Sequence, residues 1–145
     1  MKVVEDIEKL HQFMRVPLKT FPDIPSRDRI ELRLKLIREE IVDELLPAME
    51  ANNLIGIADG LVDGIVVLVG TALEYGLGAI FEQLWDEVQR SNLSKIDPLT
   101  GEPIFREDGK FVKPSGWEDF PKIAGIIARE IEIRDRVENE FANSP

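Results

Sequence analysis

The chain has 145 residues, 43% of them apolar, and its 28 acidic and 18 basic side chains leave a net charge of -10. A single domain of this size buries about 68–70% of its unfolded surface, enough for one core, and the acidic balance excludes a nucleic-acid polymer as partner, since phosphate contacts need clustered Lys and Arg. With no cysteine and one histidine, His11, the chain also lacks the means for disulfides, thiolate metal sites, Cys nucleophiles or a cage of several histidines.

Residues 1–15 are charged and carry no apolar run of the kind a secretory leader needs, so a cytoplasmic protein is expected. Val3, Ile7, Leu10 and Met14 at helical spacing predict a first amphipathic helix over residues 2–15. It ends near Pro17, and Pro22 and Pro25 stiffen the connection that follows. Ser26 or Asp28 caps a second helix over residues 27–51, striped by Ile30, Leu34, Ile37, Ile41 and Leu45. Pro47 is expected to kink or end its last turn, with Asn52 and Asn53 as the following turn. The third helix runs from Leu54 to about Tyr75 and stops at Gly76. It is apolar on nearly every face and must be covered all round, which predicts a central core helix, not a membrane span, completed by a second subunit.

A fourth helix is expected over residues 78–90, with Leu77, Ile80, Phe81, Leu84, Trp85 and Val88 inward. Residues 91–116 are polar, and Asp108-Gly109 between Ile104-Phe105 and Phe111-Val112 predicts a small β-ribbon. A last helix over residues 121–142 begins near Pro121. The expectation is therefore a single all-α domain spanning residues 1–145: a helical bundle with a central apolar helix, one β-ribbon insertion and a dimeric assembly.

Two groups of acids stand out. Glu39, Glu40, Asp43 and Glu44 fall within two turns of the second helix, and at roughly 100° per residue Glu39 and Asp43, like Glu40 and Glu44, stand about 40° apart. Such a strip is also what a solvated face paired with Lys35 and Arg38 looks like. Asp59 and Asp63 lie one turn apart on the apolar third helix, where residues 58–78 contain no basic side chain. A carboxylate buried there needs a partner: Arg29 or Arg33 from another helix, an N-cap role for Asp59, or a cation. If the second and third helices form an antiparallel pair, four to six carboxylates face one another and require a counter-ion. Oxygen-only ligands select Mg²⁺ or Mn²⁺, and a single histidine argues against a di-iron carboxylate bundle.

The run Arg33-Leu34-Lys35-Leu36-Ile37-Arg38-Glu39-Glu40-Ile41-Val42-Asp43-Glu44, followed by Ala58-Asp59-Gly60-Leu61-Val62-Asp63, resembles the all-α nucleoside triphosphate pyrophosphohydrolases. That superfamily includes the MazG-like enzymes, the dimeric dUTPases and phosphoribosyl-ATP pyrophosphohydrolase. Val69 to Gly76, Val88 to Lys95 and Asp108 to Pro114 carry the likeness over roughly residues 4–125. The resemblance implies Mg²⁺-dependent hydrolysis of a nucleoside triphosphate to monophosphate and pyrophosphate. It places metal ligands at Glu40, Asp43, Glu44, Asp59 and Asp63, with Glu39 or Glu40 handling the attacking water. Two departures stand out: Asp43 replaces the usual Glu, and Gly60 occupies the position of an expected acid, so Asp59 takes that role. Lys95, Lys110 and Lys113, with Asn92, are the candidates to meet the phosphates, and His11 is read as a structural or surface residue. A homodimer or dimer of dimers, with no membrane partner, is expected. A non-enzymatic helical dimerisation module and a phosphoribosyl-nucleotide hydrolase are the competing readings.

Overall fold

The computed structural model describes residues 1–143, so the last two positions of the expected 1–145 domain lie outside the described residues. Its hub is α4 (Leu54–Glu74), against which α1 (Lys2–Met14) and a long rod over residues 27–50 pack from two sides. The rod is built from α2 (Arg27–Ile37), a π-helical segment (Arg38–Leu45) and α3 (Leu46–Glu50). A 3-10 turn (Gly78–Ile80) leads into α5 (Phe81–Leu93); β1 (Ile104–Phe105) and β2 (Phe111–Val112) form the ribbon, and α6 (Ile123–Ala142) closes the chain. The core sits where α1 meets α4: Val4, Ile7, Val69 and Leu73 are buried together, flanked by Met1, Val3, Val66 and Phe81.

Asn53 caps α4, its side-chain oxygen accepting from the Gly56 amide at 3.2 Å, so the rod and α4 form an antiparallel hairpin across the turn at Asn52. Glycines set how closely they approach. A Cβ on Gly60 would lie 3.0 Å from Leu45 Cβ and 3.1 Å from its Cα, and one on Gly64 would lie 2.7 Å from Ile41 Cδ1. At the other end of α4, Gly76 adopts φ 70, and a Cβ there would meet the Phe21 carbonyl oxygen at 1.9 Å. The proline-stiffened connection passes at that point. Its amides Lys19 N–H and Asp23 N–H donate to the carbonyls of Leu73 and Tyr75, satisfying acceptors that the helix end leaves free.

One expectation needs correction. Pro47 does not end the rod. The Leu46 amide donates to the Ile41 carbonyl, an i→i+5 bond, and Pro47 has no N–H with which to extend that ladder to Val42. The π winding therefore stops there and α winding resumes with Pro47 in its first turn, where a missing donor costs least. One chain does not cover α4 all round, which leaves room for the second subunit expected from the sequence. This helix is the one described helix long and apolar enough to cross a membrane. Only two sides of it are packed, and Leu54, Ile55, Leu61, Val62, Ile65 and Leu68 stay exposed, Ile55 at 84%. The ribbon forms as expected, pairing Ile104 with Val112 and Phe105 with Phe111 across the Asp108-Gly109 turn. The phenyl rings of the latter pair meet edge to face at 5.7 Å.

Glycine thus has opposite roles in two helices. Gly60→Ala should lower the melting temperature, because an overpacking cost of up to about 3 kcal/mol against the Leu45 backbone outweighs a helix-propensity gain of about 1 kcal/mol. Gly125→Ala in α6, where a Cβ meets nothing within 4 Å, should raise it. Thermal unfolding of both variants checks the contrast.

Candidate active site

The candidate acids of the rod, Glu39, Glu40, Asp43 and Glu44, all fall within the π segment, and Asp59 and Asp63 lie on α4 opposite it. Glu40 is their meeting point. It is half-buried, as is Asp63, while Glu39, Asp43, Glu44 and Asp59 are exposed. Its carboxyl is held above the ordinary glutamate range, first by desolvation and then by the negative charges of Glu44, Asp63, Glu39 and Asp59. An i→i+5 ladder takes more than four residues per turn, stepping around the axis by roughly 80° where an α-helix steps 100°, so Glu40 and Glu44, four residues apart, stay on nearly the same side of the rod.

None of these six carboxylates has an ion-pair or hydrogen-bond partner among the described residues. The two arginines that might have neutralised Asp59 or Asp63 are engaged elsewhere. Arg29 Nε and Nη2 donate to Glu74 at 2.8 and 2.6 Å, and Arg33 Nη1 reaches the same carboxylate at 3.4 Å. Arg33 Nε donates to Thr71 Oγ1 at 2.9 Å, and Arg33 Nη2 donates to the Val67 carbonyl. An N-cap role for Asp59 is closed too, because Asn53 caps α4 six residues earlier. The acids crowd within electrostatic range but not to ligand spacing: no three His, Asp or Glu side chains among the described residues form a ready metal cage. An all-oxygen donor set without a cationic partner fits a hard divalent cation in its chemistry.

Gly60, where an acid was expected, is buried against Leu45. It lies on the helix-to-helix contact, so an acidic side chain at that position has no room. The sequence analysis missed Glu74, which is 2% exposed and carries the only deep ion-pair network among the described residues. The signal was present: Arg29 and Arg33 stand one turn apart on the rod, and Glu74 is an acid in a stretch with no base. His11 is buried, not at the surface. A Cβ on Gly70 would lie 2.7 Å from its Nε2, and burial followed by the Arg33 charge pushes its pKa down.

The candidate phosphate-binding residues lie at the end of α5. Lys95 Nζ donates to Asn92 Oδ1 at 2.6 Å and stands 5.4 Å from the Trp117 ring centre; Lys113 Nζ is 4.6 Å from the centres of both Trp117 and Phe120. Trp117 is held by its Nε1–H donating to Ser94 Oγ at 3.1 Å, and Ser91 Oγ donates to the Asp119 carbonyl at 2.8 Å. Neither lysine has a carboxylate partner among the described residues. Lys110 is not part of this group; it stands exposed at the ribbon turn. No hydrogen bond or ion pair joins the lysines to the acids among the described residues.

The family model for phosphoribosyl-ATP pyrophosphohydrolase matches residues 7–92, which takes in the whole rod, α4 and the acids, and stops before Lys95, Lys110 and Lys113. No curated protein matches the chain.

Glu40 holds its proton more tightly in the folded chain than in the unfolded one. Its contribution to stability is therefore complete below the ordinary value of 4.5 and is lost as pH rises through the raised value. Without divalent ions at pH 7, Glu40→Gln should raise the melting temperature by about 1–3 °C and flatten that decline. An identical pH dependence of unfolding in the variant and the unaltered chain argues against the crowding.

Proposed function

The chain belongs to the phosphoribosyl-ATP pyrophosphohydrolase family, and from that premise we propose that it is a cytoplasmic, Mg²⁺-dependent enzyme that splits a nucleoside triphosphate into monophosphate and pyrophosphate. The observation that carries this reading is the crowding of carboxylates around half-buried Glu40 with no positive side chain to relieve it. Glu40, Asp63, Asp59 and Glu44 would hold Mg²⁺ or Mn²⁺, with Asp43 as the outermost ligand. A bound divalent ion supplies Lewis acidity at the phosphate oxygens and lowers the pKa of water.

The side chains then divide the work. Glu39 or Glu40 orients the attacking water and takes its proton. The α–β phosphoanhydride bond breaks as the water oxygen bonds to phosphorus, and the electron pair leaves on pyrophosphate. Lys95 and Lys113 offset the charge on that leaving group, with Lys110 at the edge and Asn92 aligning a phosphate oxygen. The open apolar side of α4 supports a homodimer or a dimer of dimers, because a second copy would cover Leu61, Ile65 and Leu68. A phosphoribosyl nucleotide is the second substrate reading, and the description of the matching family favours it.

Release of pyrophosphate from a panel of nucleoside triphosphates and phosphoribosyl-ATP, with Mg²⁺ or Mn²⁺, tests the activity. Glu40→Ala and Asp63→Ala should each lower turnover by about 100-fold or more while keeping helicity. Silence of the unaltered chain across the whole panel leaves the non-enzymatic dimerisation module in its place. Lys113→Ala should mainly raise KM, with a smaller fall in kcat from the lost leaving-group charge; an unchanged KM would remove it from substrate binding. Light scattering at micromolar concentration should report at least a dimer, and a monomer counts against the covered α4 face.

A further inference from the structure

The end of α5 grips the segment that follows the ribbon. Arg90 donates to the Asp119 carboxylate, and Ser91 Oγ donates to the Asp119 carbonyl at 2.8 Å. Trp117 Nε1–H donates to Ser94 Oγ at 3.1 Å, and that hydroxyl donates to the Ser91 carbonyl at 2.8 Å. Just before Trp117 the chain folds back on itself. The Trp117 amide donates to the Pro114 carbonyl at 3.1 Å, and Gly116, third in the turn, adopts φ 76, where a side chain would be strained. That turn lays Lys113 against the Trp117 ring, 4.6 Å from its centre, and Lys95, just past α5, reaches the same ring at 5.4 Å. Phe120 meets Trp117 edge to face at 5.0 Å and gives Lys113 a second ring. Nearby carboxylates are engaged by arginine: Arg90 takes Glu87 and Asp119, and Arg106 takes Asp108. Among the described residues neither lysine has an ion pair, and Glu118, beside Trp117 in the chain, pairs with neither. Two like charges gathered at one ring repel each other, a cost that a multiply charged anion removes.

We propose that Trp117 is a positioning residue for a diphosphate subsite: its ring gathers the Lys95 and Lys113 ammonium groups, and the pair binds a diphosphate without help from a metal ion. An ammonium group with one side against a ring keeps its other N–H groups for an anion. A lysine free in solvent loses rotamer freedom when it binds, whereas one already laid on a ring has lost it in folding. Lysine meets phosphate as a point charge, so the head group needs no further alignment. Two cations at one ring call for more than one anionic group: a diphosphate engages both, a single phosphate one. The subsite lies beyond residue 92, where the family match stops. The inference rests on the proposed hydrolysis only for naming the anion as the leaving pyrophosphate, not for the cradle itself.

The test is binding of inorganic pyrophosphate to the full chain stripped of divalent ions. Trp85→Phe leaves Trp117 as the one tryptophan, and its fluorescence should change as pyrophosphate is added. By calorimetry, inorganic phosphate should bind about 10-fold or more weakly than pyrophosphate. Trp117→Leu should weaken pyrophosphate binding about 5–30-fold, and Trp117→Phe should keep most of it. Both variants lose the bond to Ser94, so the difference between them belongs to the ring. A merely structural Trp117 would lower the melting temperature without moving the ratio of pyrophosphate to phosphate affinity. Equal pyrophosphate affinity in Trp117→Leu and the unaltered chain overturns the proposal, as do equal affinities of the unaltered chain for the two anions. Should Trp117→Leu unfold, nuclear magnetic resonance of the unaltered chain decides. The ε-methylene protons of Lys95 and Lys113 should be shifted upfield of those of Lys9 by the ring and should move with pyrophosphate; if they stay still, the subsite is rejected. Metal-free pyrophosphate binding without turnover of any triphosphate keeps the subsite and removes the enzyme reading. Turnover without such binding does the reverse.

Discussion

The contact between the rod and α4 is the constraint from which the rest of the molecule follows. It brings two helix backbones close enough that Gly60 and Gly64 cannot carry side chains without displacing Leu45 or Ile41. Close approach removes water from between the helices, which is why Glu40 and Asp63 are half-buried although they are charged. It also forces the one acid of α4 that faces the rod's arginines, Glu74, into the interior, where two guanidiniums hold it, one of them also donating to Thr71. A buried carboxylate matched in this way and a group of carboxylates left unmatched sit on the same helix pair. The contrast separates a charge used for architecture from charges left for a ligand.

The unmatched acids are costly in the free protein. Desolvation and four neighbouring negative charges raise the pKa of Glu40, so the folded chain is stabilised by anything that delivers positive charge there, a proton at low pH or a divalent ion at neutral pH. The lysines around Trp117 present the complementary case, two ammonium groups against one aromatic ring with no carboxylate partner among the described residues. A triphosphate with its metal carries both signs of charge and can satisfy both groups. A single chain does not join the two groups by any bond among the described residues, and it leaves the outer face of α4 bare as well. Both observations suit an assembly of several copies.

The helices were legible in the sequence because apolar spacing reports them directly. Val3, Ile7 and Leu10 mark α1, the unbroken apolar run marks α4, and Asp108-Gly109 marks the ribbon. The acids of the site were legible for a different reason: carboxylates in an apolar helix without a basic neighbour are expensive unless something binds them. The matched family spans those same acids. The winding of the rod was not legible, since periodicity arguments assume 3.6 residues per turn and residues 38–45 are wound more widely.

Composition and order alone thus determined an acidic, cysteine-free, largely helical domain with two groups of carboxylates on consecutive helices. Only the tertiary structure decided which of those carboxylates meet, that Arg29 and Arg33 belong to Glu74 and not to Asp59 or Asp63, and that Gly60 is a contact point. The reason is physical. Periodicity describes one helix at a time, whereas the choice of ion-pair partners and of contact points is set by how two helices pack against each other.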